Sequence, residues 1–240
     1  MRFFALSIVG VVSSILYVPL LAKADDCVGN SPAEAKCITN DDFVLGTLII
    51  DEPGDYKLCE DIVFKPNPYG GSSAGISPLD AFVPNFHDGV YDENEYGMGF
   101  FSAISIKTSG VNLYLDCHTL EQSPEHALLQ RFYANIELAS SPFLPKVGPH
   151  DFGDGFVPAT DVQILGPGTL GRSSHHGIHG NENSNIVIRD VTFEDFEVGA
   201  VSLNNVDDLV IEDCKITNNR HDVPVIGAWS GALFIRYVST

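Results

Sequence analysis

The sequence predicts an all-β fold, a right-handed parallel β-helix, from a repeat, its internal alternation and its length. The phrase NIVIRDVTF (185–193) returns as DLVIEDCKI (208–216), so that Ile188 and Ile211 lie 23 residues apart. Looser copies stand at 161–170 (DVQILGPGTL) and 111–120 (VNLYLDCHTL). Self-similarity at a fixed period of roughly 20–50 residues is typical of solenoids. Within each copy apolar and polar residues alternate, which predicts strands with one buried face.

The alternation breaks once in each copy, between Ile188 and Val191, so each strand is expected to bend there. Asn-rich segments between copies supply turns, because Asn tolerates left-handed backbone angles. A repeat of 23 residues suits short strands and turns and is too short for a strand–helix–strand unit, which needs about 30. Stacking of coils predicts Val191 over Cys214 and Phe193 over Ile216. A β-sandwich with regularly spaced strands is the alternative.

The amino terminus, residues 1–24, has the pattern of a secretory signal peptide. Arg2 precedes an apolar stretch over 3–21, and Ala22-Lys-Ala24 matches a cleavage site. The sequence therefore predicts a secreted, extracellular protein with no membrane contact after signal removal. Because the apolar stretch is nearly long enough to cross a bilayer, an uncleaved anchor is the alternative.

The mature chain divides into a leader at 25–100 and coils at 101–240. The leader is predicted to be an N-terminal cap with one or two early coils and a long loop, since a solenoid needs a cover over its first apolar edge. Thr240 follows an apolar strand directly, with nothing polar to cover a last coil. We therefore expect a truncated product or a partial gene model.

An insertion at 121–160 interrupts the coils. Its first part, 124–138, has apolar residues at helical spacing, and Ser123 before Pro124 suits a helix start, so a short helix is predicted. The alternative makes Ile136 and Leu138 a strand, because position 136 is 23 residues beyond Leu113.

Five cysteines suggest at least one disulfide in a secreted chain. Cys27, Cys37 and Cys59 lie close together in the leader, so one pair is expected among them. Cys117 and Cys214 occupy equivalent positions in the repeat and are predicted to be free, buried thiols.

The formal net charge of −19, from 32 acidic and 13 basic residues, argues against nucleic acid and anionic membranes as partners. An anionic polysaccharide remains compatible, because Ca²⁺ can bridge carboxylates on both partners.

The densest polar segment is GRSSHHGIHG (171–180). Arg172, His176 and His179 are the predicted catalytic residues, with His175 as a substrate contact, because imidazole titrates near neutral pH. Alternatively, His175 and His179 share one face of a strand as metal ligands, for which Zn²⁺ needs a third group. In the plainest interpretation these are exposed polar residues around an inward Ile178.

A column of carboxylates is the second candidate site. In-register coils would place Asp190 over Asp213, with Asp116 at the same position of its own coil, as ligands for Ca²⁺. The alternative is that each Asp bonds the backbone of its own turn. Arg189, a predicted substrate contact, would lie beside Glu212 as a cross-coil ion pair.

A third candidate lies in the insertion, at GPHD (148–151). His150 and Asp151 are predicted substrate contacts, because loops over rigid scaffolds commonly carry function. A plain turn explains the segment equally well.

The repeat and the leader phrase GDYKLCEDI (54–62) resemble the pectate-lyase-like superfamily of secreted right-handed β-helix proteins, over roughly residues 45–240. The superfamily includes polysaccharide lyases, galacturonan hydrolases, alginate C5-epimerases and adhesins, and the resemblance implies binding of an extended carbohydrate along a strand face.

The chain departs from the family's catalytic patterns. Where the hydrolases carry Asp-Gly-Ile-Asp, it has His176-Gly-Ile-His179, and Gly148 replaces the first Asp of an epimerase-like Asp-Pro-His-Asp. A hydrolase pair of facing carboxylates is therefore not expected. The resemblance implies binding or processing of an acidic polysaccharide, by lyase or C5-epimerase chemistry. The alternative is a non-catalytic extracellular adhesin or structural protein.

Overall fold

The computed structural model describes residues 27–44, 46–65, 101–129, 133–139, 157–217 and 231–236. These residues form mostly strands, with one short α-helix and a 3₁₀ turn at Asn40–Phe43. In chain order the elements are β1 (Lys36–Ile38), β2 (Leu48–Ile50), β3 (Gly54–Leu58), β4 (Ile62–Phe64), β5 (Phe101–Ile106), β6 (Ser109–Tyr114), β7 (Thr119–Gln122), α1 (Pro124–Leu129), β8 (Tyr133–Glu137), β9 (Thr160–Leu170), β10 (His176–Asn181), β11 (Ser184–Phe193), β12 (Gly199–Asn204), β13 (Asp207–Glu212), β14 (Lys215–Ile216) and β15 (Gly231–Arg236).

The strands form two sheets, and the pairings between named strands are all parallel. Sheet 1 has the order β1-β3-β6-β9-β11-β13, with β4 and β9 pairing β7 and with β14 pairing β11. Sheet 2 has the order β15-β12-β10-β8-β5-β2. From β8 to β13 the chain alternates between the two sheets. An antiparallel sandwich is therefore not the architecture.

Sheet 1 follows the sequence repeat. Ile188 pairs with Ile211 on one side and with Ile164 on the other. Ile164 in turn pairs with Leu113, so the four copies occupy adjacent strands, as predicted. Phe193 pairs with Ile216, which confirms that expected stack as well.

The predicted bend is present in β11. Its register against β9 shifts between Arg189 and Val191, and Asp190 between them has a left-handed φ of 56°. Asn185 and Asn205, in the Asn-rich segments, are left-handed too, with a φ of 54° each. Asp residues also take this conformation, because their short polar side chain tolerates αL geometry. Left-handed Asp residues in the described chain are Asp116, Asp161, Asp190, Asp195, Asp208 and Asp213.

The insertion is only partly helical. The helix α1 ends at Leu129, and Ile136 lies in the strand β8, so the alternative assignment of a strand at this position is correct. However, Ile136 pairs with Ile104 and Ile178 in sheet 2, not with Leu113 in sheet 1. Counting 23 residues forward located a strand but not its sheet, because the spacing between neighbouring strands of sheet 2 varies along the chain.

The hydrophobic core contains residues from both sheets. Leu113, Ile164 and Ile188 of sheet 1 belong to the same buried cluster as Ile136 and Ile178 of sheet 2. The alternate residues of each strand point to the opposite, outer face of their sheet. These two outer faces carry the candidate sites.

Two disulfides join the leader to itself and to sheet 1. Cys37 bonds Cys59, which confirms a pair within the leader. The prediction of a free Cys117 is wrong, because this residue bonds Cys27. Cys117 has a left-handed φ of 72° directly after left-handed Asp116, so its backbone differs from that of Cys214, which does not have this conformation. Cys214 is free, packs on the core and donates from Sγ to the Ile188 carbonyl.

Two further predictions concern the signal peptide and contact with a membrane. The signal peptide at 1–24 lies outside the described residues. Within the described part, no helix is long and apolar enough to cross a membrane.

Candidate functional site

The histidine segment forms β10, in the middle of sheet 2, where β8 and β12 flank it. Two consecutive residues of β10 point inward. A Cβ on Gly177 would lie 3.0 Å from the ring of Phe193, and Ile178 belongs to the core. His176 and His179 therefore both lie on the outer face, although they are three residues apart.

Their imidazole rings are stacked, with centroids 5.2 Å apart and planes 12° from parallel. The ring of His175 meets that of His176 edge-on, at 4.0 Å between centroids. The structure thus brings the three predicted histidines together. The expected partners on one face were His175 and His179, at i and i+4. The stacked rings are instead those of His176 and His179, because the two residues between them both point inward.

These side chains are not the exposed polar residues of the plainest interpretation. His176 is 6% exposed and His179 is 7% exposed. Burial is the main cause that holds the pKa of His176 well below its usual value, and the neighbouring His175 and His179 lower it further. At neutral pH His176 is therefore an uncharged imidazole.

A buried glutamate completes the cluster. Glu137 of β8 pairs across the sheet with His179, and its Oε2 lies 2.7 Å from Nδ1 of that histidine. Burial raises the pKa of the Glu137 carboxyl, while the bond to His179 opposes the rise. Oε2 and Nδ1 thus form a buried carboxyl–imidazole pair with a proton between them.

Sequence reasoning missed Glu137, because its place depends on the pairing of β8 with β10. Once Ile136 is accepted as a strand residue that stacks beside Ile178, Glu137 must stack beside His179. The helical assignment of 124–138 concealed that neighbour, since a helix cannot present residues in register with a strand.

Arg172 lies at a corner between the sheets. Its Nη1 donates to the Gln122 carbonyl at 3.2 Å and lies 3.5 Å from Oε2 of Glu121. The backbone after Arg172 is linked to the cluster, because Ser173 donates from Oγ to the carbonyl of His176. The guanidinium itself is thus directed toward Glu121 and Gln122 of β7.

The remaining predicted residues lie on sheet 1. Nε of Arg189 donates to Oε1 of Glu212, which confirms the expected ion pair between neighbouring copies of the repeat. Asp190 and Asp213 occupy left-handed turns beside Cys214, where both carboxylates contribute to a raised pKa of the thiol, after the larger effect of burial.

No metal ion is assigned to Asp190 and Asp213. Among the residues that the structure describes, no group of three or more His, Cys, Asp or Glu side chains is arranged to hold a metal ion. Two carboxylates alone are too few for Ca²⁺, which takes about six to eight oxygen ligands. His150 and Asp151 lie outside the described residues.

An open groove runs along the outer face of sheet 1, where the sequence indicated no site. One wall is a ladder of side chains: Ser109 donates to one oxygen of Asp161, and Asn185 donates to the other, each at 2.8 Å. Asp161, Asn185 and Asp208 start successive copies of the repeat, so their common position was visible in the sequence. The groove is lined by Asp161, Gln163, Asn185, Val187, Asp208, Leu209 and Val210.

Comparison with known proteins adds no relative: no protein-family model, curated protein or solved structure matches the chain.

Proposed function

We propose that the chain is a secreted right-handed parallel β-helix that processes an acidic polysaccharide, by lyase or C5-epimerase chemistry. The in-register pairing of repeat copies in sheet 1 supports the helical winding. Parallel strands of one sheet are joined in a right-handed sense in about 98% of cases, which supports the hand. The signal-like amino terminus and the two disulfides support secretion.

The observation that carries the activity is the Glu137–His179 pair, with the His176 ring stacked beside it. Both reactions begin when a base removes the proton from C5 of a uronate. In elimination, the electron pair then forms a C4–C5 double bond as the C4–O bond breaks. In epimerisation, a proton returns to C5 from the opposite face.

His179 is the proposed base, and Glu137 holds its Nδ1 and stabilises the imidazolium that forms. His176, neutral at pH 7, is placed beside this base as a second proton carrier. Neither Arg172 nor Arg189 is assigned to neutralise the uronate carboxylate, because their guanidinium groups contact Glu121 and Glu212, respectively.

The test is to incubate the secreted protein with alginate, polygalacturonate and related glycans, with and without Ca²⁺. Ultraviolet absorbance of unsaturated products reports elimination, and proton NMR reports epimerisation. We expect His179→Ala to lower the rate by about 10²-fold or more. His118→Ala is the matched control, because His118 lies beside Asp61 in another part of the molecule. Activity that survives in His179→Ala would contradict the assignment.

A second candidate function, non-catalytic glycan binding, rests on the open groove of sheet 1. Its wall of carboxylate and amide groups offers hydrogen bonds to sugar hydroxyls, and Val187 and Val210 offer an apolar floor. This candidate predicts binding without product. Glycan-array binding that is lost in Gln163→Ala, with no turnover in the assays above, would favour it over the enzyme.

A further inference from the structure

A serine lies directly beside the carboxyl–imidazole pair in sheet 2. His179 pairs with Glu137 on one neighbouring strand and with Ser202 on the other. Val201 and Leu203, on either side of Ser202, belong to the core, so Ser202 points to the outer face with His179. Parallel strands are about 4.8 Å apart, which makes Glu137, His179 and Ser202 consecutive side chains of one row.

The order of the three groups suits nucleophilic catalysis. Glu137 binds Nδ1 of His179, so the nitrogen that would take a proton from a hydroxyl is Nε2. We propose that Ser202, His179 and Glu137 form a nucleophile–base–carboxylate triad that removes ester-linked acyl groups from a polysaccharide. This inference uses the same Glu137–His179 pair as the proposed function, but for a different reaction, and it adds a nucleophile.

The reaction balances with water as the second substrate. Oγ of Ser202 bonds to the ester carbonyl carbon as its proton moves to Nε2 of His179. The sugar oxygen then leaves with that proton, and the acyl group remains on Ser202. Water, deprotonated by His179, attacks the acyl carbon and releases a carboxylic acid, and the proton returns to Ser202.

Phe234 supplies an apolar neighbour for the acyl group. It pairs with Ser202 in the next strand, and its ring lies over two glycines of β12 and β15. A Cβ would come within 2.9 Å of that ring at Gly199 and within 2.8 Å at Gly231. The absence of side chains at these positions leaves room for the aromatic ring over β12 and β15.

The experiment treats the full secreted chain with a fluorophosphonate probe and locates the modified residue by peptide mass spectrometry. Hydrolysis of p-nitrophenyl acetate and of acetylated alginate or pectin is measured in parallel. We expect modification at Ser202 and a loss of about 10²-fold or more in ester hydrolysis for Ser202→Ala. Ser105→Ala is the matched control: Ser105 occupies the same row on the far side of Glu137 and donates to the Ala139 carbonyl.

The outcomes separate this inference from the proposed function. Ser202→Ala should lose ester hydrolysis and retain elimination or epimerisation, whereas His179→Ala should lose both. A wild-type chain that carries no probe at Ser202 and releases no acetate overturns the triad, whatever its activity toward uronates. Equal ester hydrolysis by wild type and Ser202→Ala overturns it as well.

Discussion

The outer faces of the two sheets differ in what repeats along them. On sheet 1, equivalent positions carry equivalent residues, such as Asp161, Asn185 and Asp208, each with the same left-handed backbone. On sheet 2, Glu137, His179 and Ser202 stand at equivalent positions, and no two are alike. Repetition indicates a requirement that all copies of the repeat share, and that requirement is structural. A position whose residue type changes from one strand to the next is available for chemistry at one place.

Burial also separates the two faces. The wall of the sheet 1 groove is exposed, whereas Glu137 and His179 on sheet 2 are 1% and 7% exposed. Charges on sheet 1 are therefore screened by water. Protonation of a buried group on sheet 2 has a larger electrostatic effect, because the cluster is shielded from solvent. Four experiments test this contrast, in order of decreasing expected effect.

The largest effect is expected inside sheet 1, under its repeated surface. Ile188→Ala removes a fully buried side chain between Ile164 and Ile211, and should lower the free energy of unfolding by about 2–5 kcal/mol. Val187→Ala, on the outer face of the same strand, is the control and should lower the free energy of unfolding by less than about 1 kcal/mol. Urea unfolding of both variants gives the comparison, and equal losses would contradict inward packing at 188.

The second effect is acid sensitivity of sheet 2. The folded-state pKa of His176 is depressed, so the unfolded chain binds a proton that the folded chain does not. Its stabilising contribution is complete above pH 6.5 and is lost as the pH falls. We expect wild type to lose about 2 kcal/mol more than His176→Asn between pH 7 and pH 5.

Glu137 works in the opposite direction, since its raised pKa removes stability as the pH increases above 4.5. The wild-type and His176→Asn curves share this contribution, so their difference isolates the histidine. His118→Asn, at a third-exposed histidine, is the control substitution. Parallel pH curves for wild type and His176→Asn would show that the buried imidazole does not resist protonation.

A third and smaller effect belongs to the repeated turns of sheet 1. Asn185 has a φ of 54° and bonds Asp161, so Asn185→Ala should cost about 1 kcal/mol through backbone strain and the lost hydrogen bond. Asn185→Gly also loses the hydrogen bond to Asp161, but it avoids the backbone strain, because glycine adopts a positive φ freely. Thermal unfolding should therefore rank wild type above the Gly variant and the Gly variant above the Ala variant, and the reverse ranking of the two variants would rule out left-handed strain.

The sequence was sufficient for sheet 1 and insufficient for sheet 2, and the reason is physical. Each copy of the repeat must stack Ile or Leu on the next, so Leu113, Ile164, Ile188 and Ile211 could be aligned by counting. Residues of sheet 2 are separated by variable loops, so no count could place Ile136 beside Ile178.

The candidate site was predicted in part for the same reason. The three histidines lie within five residues of one another in the sequence, which made their proximity predictable. Glu137 reaches them only through the pairing of β8 with β10, which the sequence does not state. Ser202 lies 23 residues after His179, the period of the repeat, so its place could have been predicted by counting. The prediction of a free Cys117 was wrong for a different reason. Its sequence context resembles that of Cys214, but Cys117 is a second left-handed residue after Asp116, and this changes the backbone there.

The smallest expected effect is that of the Arg189–Glu212 ion pair on the outer face of sheet 1. Its side chains are 50% and 44% exposed, so a double-mutant cycle with Arg189→Ala and Glu212→Ala should give a coupling of about 0.2–1 kcal/mol. That coupling should fall when NaCl is raised from 0.05 to 0.5 M (about a threefold decrease in the Debye length), because water and ions reach both groups. The pH dependence assigned to His176 should change much less with salt, since its cause is burial. A salt-independent Arg189–Glu212 coupling of several kcal/mol would mean that the face of sheet 1 is as dry as that of sheet 2, and the contrast between them would not hold.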